Sequence, residues 1–304
     1  MRRVSPFICL ALAMQFLAGC GSNQAQYEKT PVVFKVQAGD QPVRIQVMPG
    51  SQGLAIQVGN NPELTYFDLS GAITGSFLPS PPPDEVHAFY AWGQDSVILV
   101  SHDQLLGYGP HGATHPVSLA GVFGDVVMDD RHPIFSLTDR IYFLANNDKL
   151  GMVDLTMVYR YNFHKHTTDG LIAYPKQYQQ PVGNDKVPAW TTDGFRLICA
   201  LPGPAQLLVY DLQNRTEQVV SLAIAGETAG LYYREGMQSY FRLTVPDEEH
   251  VFQVQLLKPD FSLVKAIKLS AEEYNLTQAF VAAGDLYLRH QQSSEGVVFD
   301  RITF

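Results

Sequence analysis

Nine histidines and three cysteines are the side chains of this sequence best suited to metal binding or nucleophilic chemistry. Two close histidine pairs could each bring two rings together, and they are His164 with His166 and His111 with His115. A zinc site generally takes three or four ligands, and neither pair is accompanied by a clear third one. We therefore predict no metal site and no cofactor.

Common catalytic motifs are missing from the sequence, which contains no Gly-x-Ser-x-Gly, no His-Glu-x-x-His and no Gly-x-x-x-x-Gly-Lys-Ser/Thr. Acidic residues do occur in adjacent pairs, at Asp129–Asp130, Glu248–Glu249 and Glu272–Glu273. Adjacent residues of a strand point to opposite faces, so no pair is interpreted as a general acid with its base. Cys199 lies in the apolar run Phe195–Leu201, which predicts a small buried residue and not a catalytic thiol.

Cys20 follows a segment typical of an export signal. Arg2 and Arg3 precede a short apolar run, Phe7–Phe16, well below the roughly 20 residues that cross a bilayer as a helix. The next residues, Leu17-Ala18-Gly19-Cys20, resemble the bacterial lipobox, in which small residues admit the signal peptidase and the cysteine thiol is lipidated. The resemblance implies cleavage before Cys20 and a lipid anchor on its sulfur.

The predicted cleavage divides the chain into a signal peptide (1–19), a lipidated cysteine with a polar tether (20–30) and a folded domain (31–304). Loss of Arg2 and Arg3 leaves 19 of the 21 basic residues against 30 acidic ones, a net charge of −11 with neutral histidines. Such an acidic domain is not expected to bind nucleic acid. Its attachment to a membrane is expected to depend on the acyl chains.

The folded domain is predicted to be all-β, because short runs rich in Val, Ile, Leu, Tyr and Phe alternate with Gly, Pro, Asn and Asp. The only candidate helix is the short segment Ser270–Tyr274. One strand pattern recurs six times, with starts at Gly53, Ser96, Arg140, Phe195, Ser239 and Asp285, so that successive starts lie 43, 44, 55, 44 and 46 residues apart. Four-stranded propeller blades repeat at about this interval.

Each recurring strand is followed by a partner strand, and four of the partner strands end at or near an aspartate: Asp68, Asp154, Asp211 and Asp300. A short carboxylate is suited to bond the backbone of the next turn. The last repeat lacks a fourth strand, and the spare strand Pro31–Val36 is predicted to pair with it and close the ring. The chain thus resembles the six-bladed β-propellers, with four-stranded blades, of bacterial exported lipoproteins, without the signature of a specific characterised family.

The longest interval between repeats contains a polar segment, His164–Lys186, predicted to connect an outermost strand to the next innermost one where the channel opens. Irregular segments on a rigid scaffold commonly carry binding sites. The residues predicted to bind are His164, His166, Tyr174 and Tyr178 in this segment, with His87 and His132 before two innermost strands.

Two functions agree with these observations. The first is a membrane-anchored binding module whose partner is an envelope protein or a glycan. The second is an exported lyase or hydrolase acting on a polysaccharide or lactone, because propellers support both kinds of activity. The missing catalytic motifs favour the first. Gly21 stands where aspartate would direct inner-membrane retention under the enterobacterial sorting rule, so we predict a cell-envelope protein, on the periplasmic side of the outer membrane in a Gram-negative cell.

Overall fold

Twenty-six strands and no helix make up the part of the chain that the structure describes. The structure is a computed structural model, and the described residues are 27–36, 43–48, 53–82, 86, 88–91, 96–101, 104–109, 112–113, 117–118, 126–128, 135–137, 140–147, 152–162, 167–172, 188–201, 203, 205–291 and 296–304. Within these ranges, no helix is long and apolar enough to cross a membrane.

The strands form six antiparallel sheets, the blades of a β-propeller. Blade one contains β2 to β5, at Val43–Val47, Leu54–Val58, Leu64–Phe67 and Ile73–Phe77. Blade two contains β6 to β10, at Ala88–Ala91, Val97–Ser101, Gln104–Gly109, Gly112–Ala113 and Val117–Ser118. Blade three contains β11 to β15, at Val126–Met128, Phe135–Leu137, Arg140–Asn147, Met152–Asn162 and Thr167–Ile172.

Blade four contains β16 to β19, at Trp190–Thr192, Arg196–Ala200, Gln206–Asp211 and Thr216–Ser221. Blade five contains β20 to β23, at Thr228–Arg234, Ser239–Thr244, Val251–Leu257 and Leu263–Ser270. Blade six contains β24 to β26, at Tyr274–Ala282, Asp285–His290 and Val297–Thr303, together with β1 at Glu28–Phe34. The recurring strand of the sequence is the second strand of all six blades, and the predicted propeller is confirmed.

The order of strands within a blade follows the chain from the axis outward. The first strands of neighbouring blades contact one another, β2 with both β6 and β24, and β20 with both β16 and β24. The second strand β21 is buried along its whole length, whereas the outermost strand β19 is almost entirely exposed. A second strand is covered on both sides by adjacent blades, which explains why apolar side chains occur on both of its faces and make it the easiest strand to recognise.

The N-terminal strand closes the ring, as predicted. β1 pairs antiparallel with β26, from Glu28 opposite Thr303 to Phe34 opposite Val297. Phe34 is fully buried and makes edge-on contacts with Phe67 of blade one and Phe299 of β26. The same strand therefore covers the open edge of blade six and packs against blade one.

The alternating strand directions define two faces of the ring. We call the mouth face the one where second strands lead into third strands and outermost strands lead into the next blade. We call the N-terminal face the opposite one, where first strands turn into second strands. β1 begins at the N-terminal face, since Glu28 pairs with Thr303 at the same end of blade six as the Ala282–Asp285 turn.

Three local predictions were wrong. Asp154 does not end its strand, because β14 continues from Met152 to Asn162. Ser270–Tyr274 is not helical, because β23 ends at Ser270, β24 begins at Tyr274, and only a tight turn fits between the two blades. Asp300 is not a turn residue like Asp68 and Asp211, whose Oδ1 atoms accept backbone hydrogen bonds two to four residues ahead. It lies inside β26 and is 1% exposed.

Candidate functional site

The residues predicted for lipidation and binding, Cys20, His87, His132, His164, His166, Tyr174 and Tyr178, all lie outside the described residues. Their roles stay predictions. The polar segment predicted as a single connection contains the strand β15, so the histidine pair precedes an outermost strand and the tyrosine pair follows it. The two pairs therefore belong to different connections of the chain.

A shallow, open cleft lies on the mouth face between blades five and six. Its volume is about 390 Å³. The cleft is lined by Pro246 and His250 from the β21–β22 connection, by Ala271, Glu272, Tyr274 and Leu276 around the start of β24, and by Gln291 after β25. Three separate connections thus form one opening, which we call the blade five–six cleft.

The β21–β22 connection is held in shape by Asp247. Its Oδ1 accepts hydrogen bonds from the backbone N–H groups of Glu249 and Val251, both at 3.0 Å. His250 has a left-handed backbone conformation, with φ of 57°, and its carbonyl oxygen accepts a 2.7 Å hydrogen bond from Ala271 N–H. A bonded turn therefore presents the exposed His250 side chain at the rim of the cleft.

Gln291 comes from the third connection that lines the cleft, and its hydrogen bonds join that connection to the rest of the site. Its side-chain amide donates hydrogen bonds to the carbonyl oxygens of Ala271 and Tyr274, at 3.0 and 3.2 Å. Its backbone N–H donates to Glu273 O, also at 3.0 Å. These bonds fix the three connections relative to one another, so the cleft is formed before any ligand binds.

Beneath the cleft, Asp300 organises a buried polar cluster. Tyr274 donates its hydroxyl to Asp300 Oδ2 at 2.6 Å, and Lys29 Nζ and His290 Nε2 each lie 3.0 Å from the same oxygen. Lys29 also contacts Glu273 at 3.1 Å and lies 5.3 Å from the centre of the Tyr274 ring. The cluster joins β1, the three other strands of blade six and one wall of the cleft.

The protonation states of the cluster follow from these contacts. Burial alone would raise the pKa of Asp300, but the hydrogen bonds from Tyr274 and Lys29 outweigh it and hold that pKa below its usual value. Burial, reinforced by the bond to Asp300, raises the pKa of the Tyr274 phenol. At neutral pH Asp300 is therefore a carboxylate. Its Oδ2 atom already contacts Tyr274, Lys29 and His290, which suits a structural role and not proton transfer.

The rim of the cleft is acidic. Exposed carboxylates come from both adjacent connections: Asp247, Glu248, Glu249, Glu272 and Glu273, of which Glu273 is paired with Lys29. Two of the acidic pairs noted in the sequence therefore flank the same opening, although 24 residues separate Glu248 from Glu272. These two acidic pairs were the sequence feature that could have indicated the cleft. Because neither pair was interpreted as a catalytic acid with its base, there was no reason to place the two pairs together.

Another buried charge shapes the mouth face next to the cleft. Arg242 in β21 is fully buried and donates to Thr228 Oγ1 at 2.8 Å, Gln255 Oε1 at 2.9 Å and Ile224 O at 3.1 Å, as well as to Gly226 O. Burial lowers the pKa of Arg242 to about 10, so the guanidinium stays charged at neutral pH. It fixes the connection between blades four and five.

A second buried carboxylate, Asp193, lies on the N-terminal face between blades four and five. Its Oδ2 accepts a hydrogen bond from the Tyr240 hydroxyl at 2.6 Å and lies 2.8 Å from the Arg196 guanidinium. Arg196 also donates to Pro259 O at 3.1 Å. These contacts join the first turn of blade four to blade five.

The remaining predictions about reactive groups can be compared with the described residues. In that part of the chain, no group of three or more His, Cys, Asp or Glu residues could hold a metal ion. Cys199 is buried in β17, as predicted, and burial raises the pKa of its thiol. A buried, protonated thiol is a poor nucleophile, which agrees with its interpretation as a core residue.

Comparison with known proteins supports the fold. No family model and no curated protein matches the sequence. Among solved structures, the chain is similar to a member of the DUF4221 family from Bacteroides vulgatus, with a TM-score of 0.67 and 13% identity over 92% of this chain and 99% of that one. Hsv2 from Kluyveromyces lactis has a TM-score of 0.49 and 12% identity over 83% and 72% of the two chains.

Regucalcin from Agrobacterium tumefaciens, described as a calcium-binding protein, has a TM-score of 0.49 and 13% identity over 90% of this chain and 92% of its own. At 13% identity, the structural similarity to the DUF4221 protein is evidence of a shared fold and not of a shared activity. The chain is a six-bladed β-propeller, a fold compatible with a binding module, and its similarity to the DUF4221 protein extends over nearly its whole length.

Proposed function

We propose that this protein is an exported lipoprotein, anchored through Cys20, that binds a partner with its mouth face. The observation that carries the proposal is the position of β1. This strand begins at the N-terminal face, and the blade five–six cleft opens on the opposite face. A lipid on Cys20 would therefore hold the N-terminal face towards the bilayer and leave the cleft accessible.

The length of the tether supports this arrangement. Residues 20 to 26 precede Tyr27, where the described chain begins, and seven extended residues span at most about 25 Å. That reach is too short for the domain to turn over freely and bring its mouth face against the same membrane. The anchor thus sets the orientation of the domain as well as its location.

The chemistry of the cleft indicates the class of partner. Its lining combines apolar groups from Pro246 and Leu276 with hydrogen-bonding groups from His250, Glu272 and Gln291. The acidic rim favours a partner that carries positive charge, such as basic side chains of an envelope protein or the amino groups of a glycan. In a Gram-negative cell we place this encounter at the periplasmic side of the outer membrane.

The anchor is tested by metabolic labelling with an alkyne-bearing palmitate in a bacterial host. We expect the full-length chain to take up the label and to fractionate with membranes, and Cys20→Ser to do neither. A chain that stays unlabelled while being exported would contradict the lipoprotein assignment.

Binding is tested with the chain from Gly21 onward, immobilised by an N-terminal tag so that the mouth face is free. Detergent-solubilised envelope of the source bacterium is the analyte. The informative variant combines His250→Ala with Glu272→Lys, and Glu217→Lys, an exposed site on the outermost strand β19, is the matched charge control. We expect capture of a partner by the unaltered chain and the control, and at least tenfold weaker capture by the cleft variant. Equal capture by all three would show that the cleft is not the binding site.

A further inference from the structure

The N-terminal face carries exposed apolar side chains close to the start of the chain. Phe195, in the first turn of blade four, is 76% exposed, and Met237, in the first turn of blade five, is 56% exposed. Tyr27, immediately before β1, is 40% exposed. We call these three residues the apolar tip set.

Phe195 is held outward by its own turn. Asp193 Oδ1 accepts hydrogen bonds from the N–H groups of Phe195 at 3.0 Å and Arg196 at 2.7 Å, and Phe195 O accepts a 2.8 Å bond from Leu212 N–H. The Asp193 carboxylate is in turn fixed by Tyr240. With both sides of the turn bonded, the phenyl ring cannot fold back into the core, so its exposure is a property of the fold.

Met237 contacts the first turn of blade six. A side-chain carbon added at Gly284 would lie 2.8 Å from Met237 Cε, so the thioether lies directly against this glycine. The Arg234 guanidinium donates a 2.7 Å hydrogen bond to Gly284 O beside it. Phe195 and Met237 therefore lie in the corresponding turns of neighbouring blades, and Met237 also contacts that turn in blade six.

The position of the first described residue indicates which surface covers these side chains. Tyr27 is its first residue, at the N-terminal face, and the proposed lipidated residue Cys20 lies only seven positions earlier. A short tether raises the effective concentration of the bilayer at this face to the millimolar range. Side chains too few to bind a membrane by themselves would then insert readily.

We infer that the apolar tip set docks on the surface of the bilayer that holds the anchor. This inference rests on the proposed lipid anchor. The side chains are of the type found at membrane interfaces, where an aromatic or thioether group enters the boundary between headgroups and acyl chains. Because the mature domain is acidic, the expected surface is rich in zwitterionic lipid, which does not repel it.

The inference is tested with single reporter cysteines in the chain from Gly21, which retains only Cys199. That thiol is buried and its pKa is raised, so it resists labelling. Phe195→Cys reports on the N-terminal face. Leu78→Cys is the matched control, because Leu78 is 62% exposed and follows β5 on the mouth face.

Each variant carries an environment-sensitive fluorophore such as nitrobenzoxadiazole and an N-terminal hexahistidine tag. It is bound to phosphatidylcholine–phosphatidylethanolamine vesicles containing a small fraction of nickel-chelating lipid. We expect a blue shift and at least a twofold rise in emission at position 195 on tethering, and no change at position 78. Equal responses, or a response only at position 78, would overturn the inference.

A second measurement separates this inference from the proposed function. The double variant Phe195→Ser with Met237→Ser, labelled at a reporter Tyr27→Cys, should lose most of the emission change on the same vesicles. If it responds like the parent carrying the same reporter, the docking surface is wrong, whereas capture by the cleft is unaffected. Because the tag replaces the acyl chains, a failure of Cys20 lipidation in cells would be recognised separately.

Discussion

Two buried carboxylates in this propeller have nearly the same immediate partners and different roles. Asp193 and Asp300 each accept a 2.6 Å hydrogen bond from a tyrosine hydroxyl and each lie within 3.0 Å of a basic side chain. For Asp193 that side chain is Arg196, three residues away. For Asp300 it is Lys29, from the opposite end of the chain.

The same set of contacts, a carboxylate with a tyrosine hydroxyl and a basic side chain, stabilises a single turn in one place and the closure of the ring in the other. The Asp193 cluster stiffens one turn and joins consecutive blades, which the chain already connects. The Asp300 cluster holds β1 on β26 and is part of the closure of the ring. Without β1, β26 would be an exposed edge and blade one would lose the packing of Phe34.

The largest effect is expected from Lys29→Met. This substitution removes the lysine beside the Asp300 carboxylate, which is 1% exposed and would keep only the Tyr274 hydroxyl and His290 Nε2 at its Oδ2 atom. A buried charge that loses a charged partner is expensive. We expect the free energy of unfolding to fall by about 3 kcal/mol. Urea denaturation of the chain from Gly21 measures it, with Lys35→Met, an exposed lysine just after β1, as the matched control. A loss no greater than that of the control would refute the role of the cluster in closure.

A smaller effect is expected from Arg196→Met. Asp193 would keep the Tyr240 hydroxyl and the two backbone N–H groups of its own turn, so its charge remains compensated. We expect a loss of about 1.5 kcal/mol in the same denaturation experiment, mainly from the contacts of the guanidinium. The comparison between the clusters fails if this variant is less stable than Lys29→Met.

The pH dependence of the free energy of unfolding tests the comparison further. The pKa of Asp300 is lower in the folded protein than its ordinary value, so its stabilising contribution is present at neutral pH and is lost as the pH falls from that ordinary value through the lower folded pKa. We expect the unfolding free energy to fall as the pH is lowered into the range where aspartate takes up a proton, and to fall less steeply in Asp300→Asn. Urea titrations at a series of pH values provide the test, and identical pH profiles for the two proteins would contradict it.

The smallest effect on stability is expected at the apolar tip set. Phe195→Ser should change the free energy of unfolding by no more than about 0.5 kcal/mol, because the ring is exposed in the folded chain. Chemical denaturation without lipid measures this value. A loss above about 2 kcal/mol would mean that the ring packs against the domain and does not remain free to contact a membrane.

The sequence predicted the propeller because second strands are covered on both sides, and that burial places apolar side chains on both of their faces at each repeat. Closure by β1 was predictable because the last repeat was one strand short. The role of Asp300 was not predictable, since its local sequence resembles that of Asp68 and Asp211. Only its contacts with Tyr274 and Lys29 distinguish it.

The cleft was less predictable than the fold. Its walls come from three connections of two blades and are joined by backbone bonds, such as that from Ala271 N–H to His250 O, that no local pattern reveals. The binding residues predicted from the sequence lie outside the described residues, so a binding site on the mouth face stays a prediction.

The most direct test of the two-faced arrangement is site-specific photo-crosslinking of the full-length chain in membranes of the source bacterium. A benzophenone amino acid is placed at His250, on the rim of the cleft, or at Phe195, on the N-terminal face. We predict adducts with a protein or glycan from position 250 and adducts with lipid from position 195. Lipid adducts from position 250 together with partner adducts from position 195 would contradict the account.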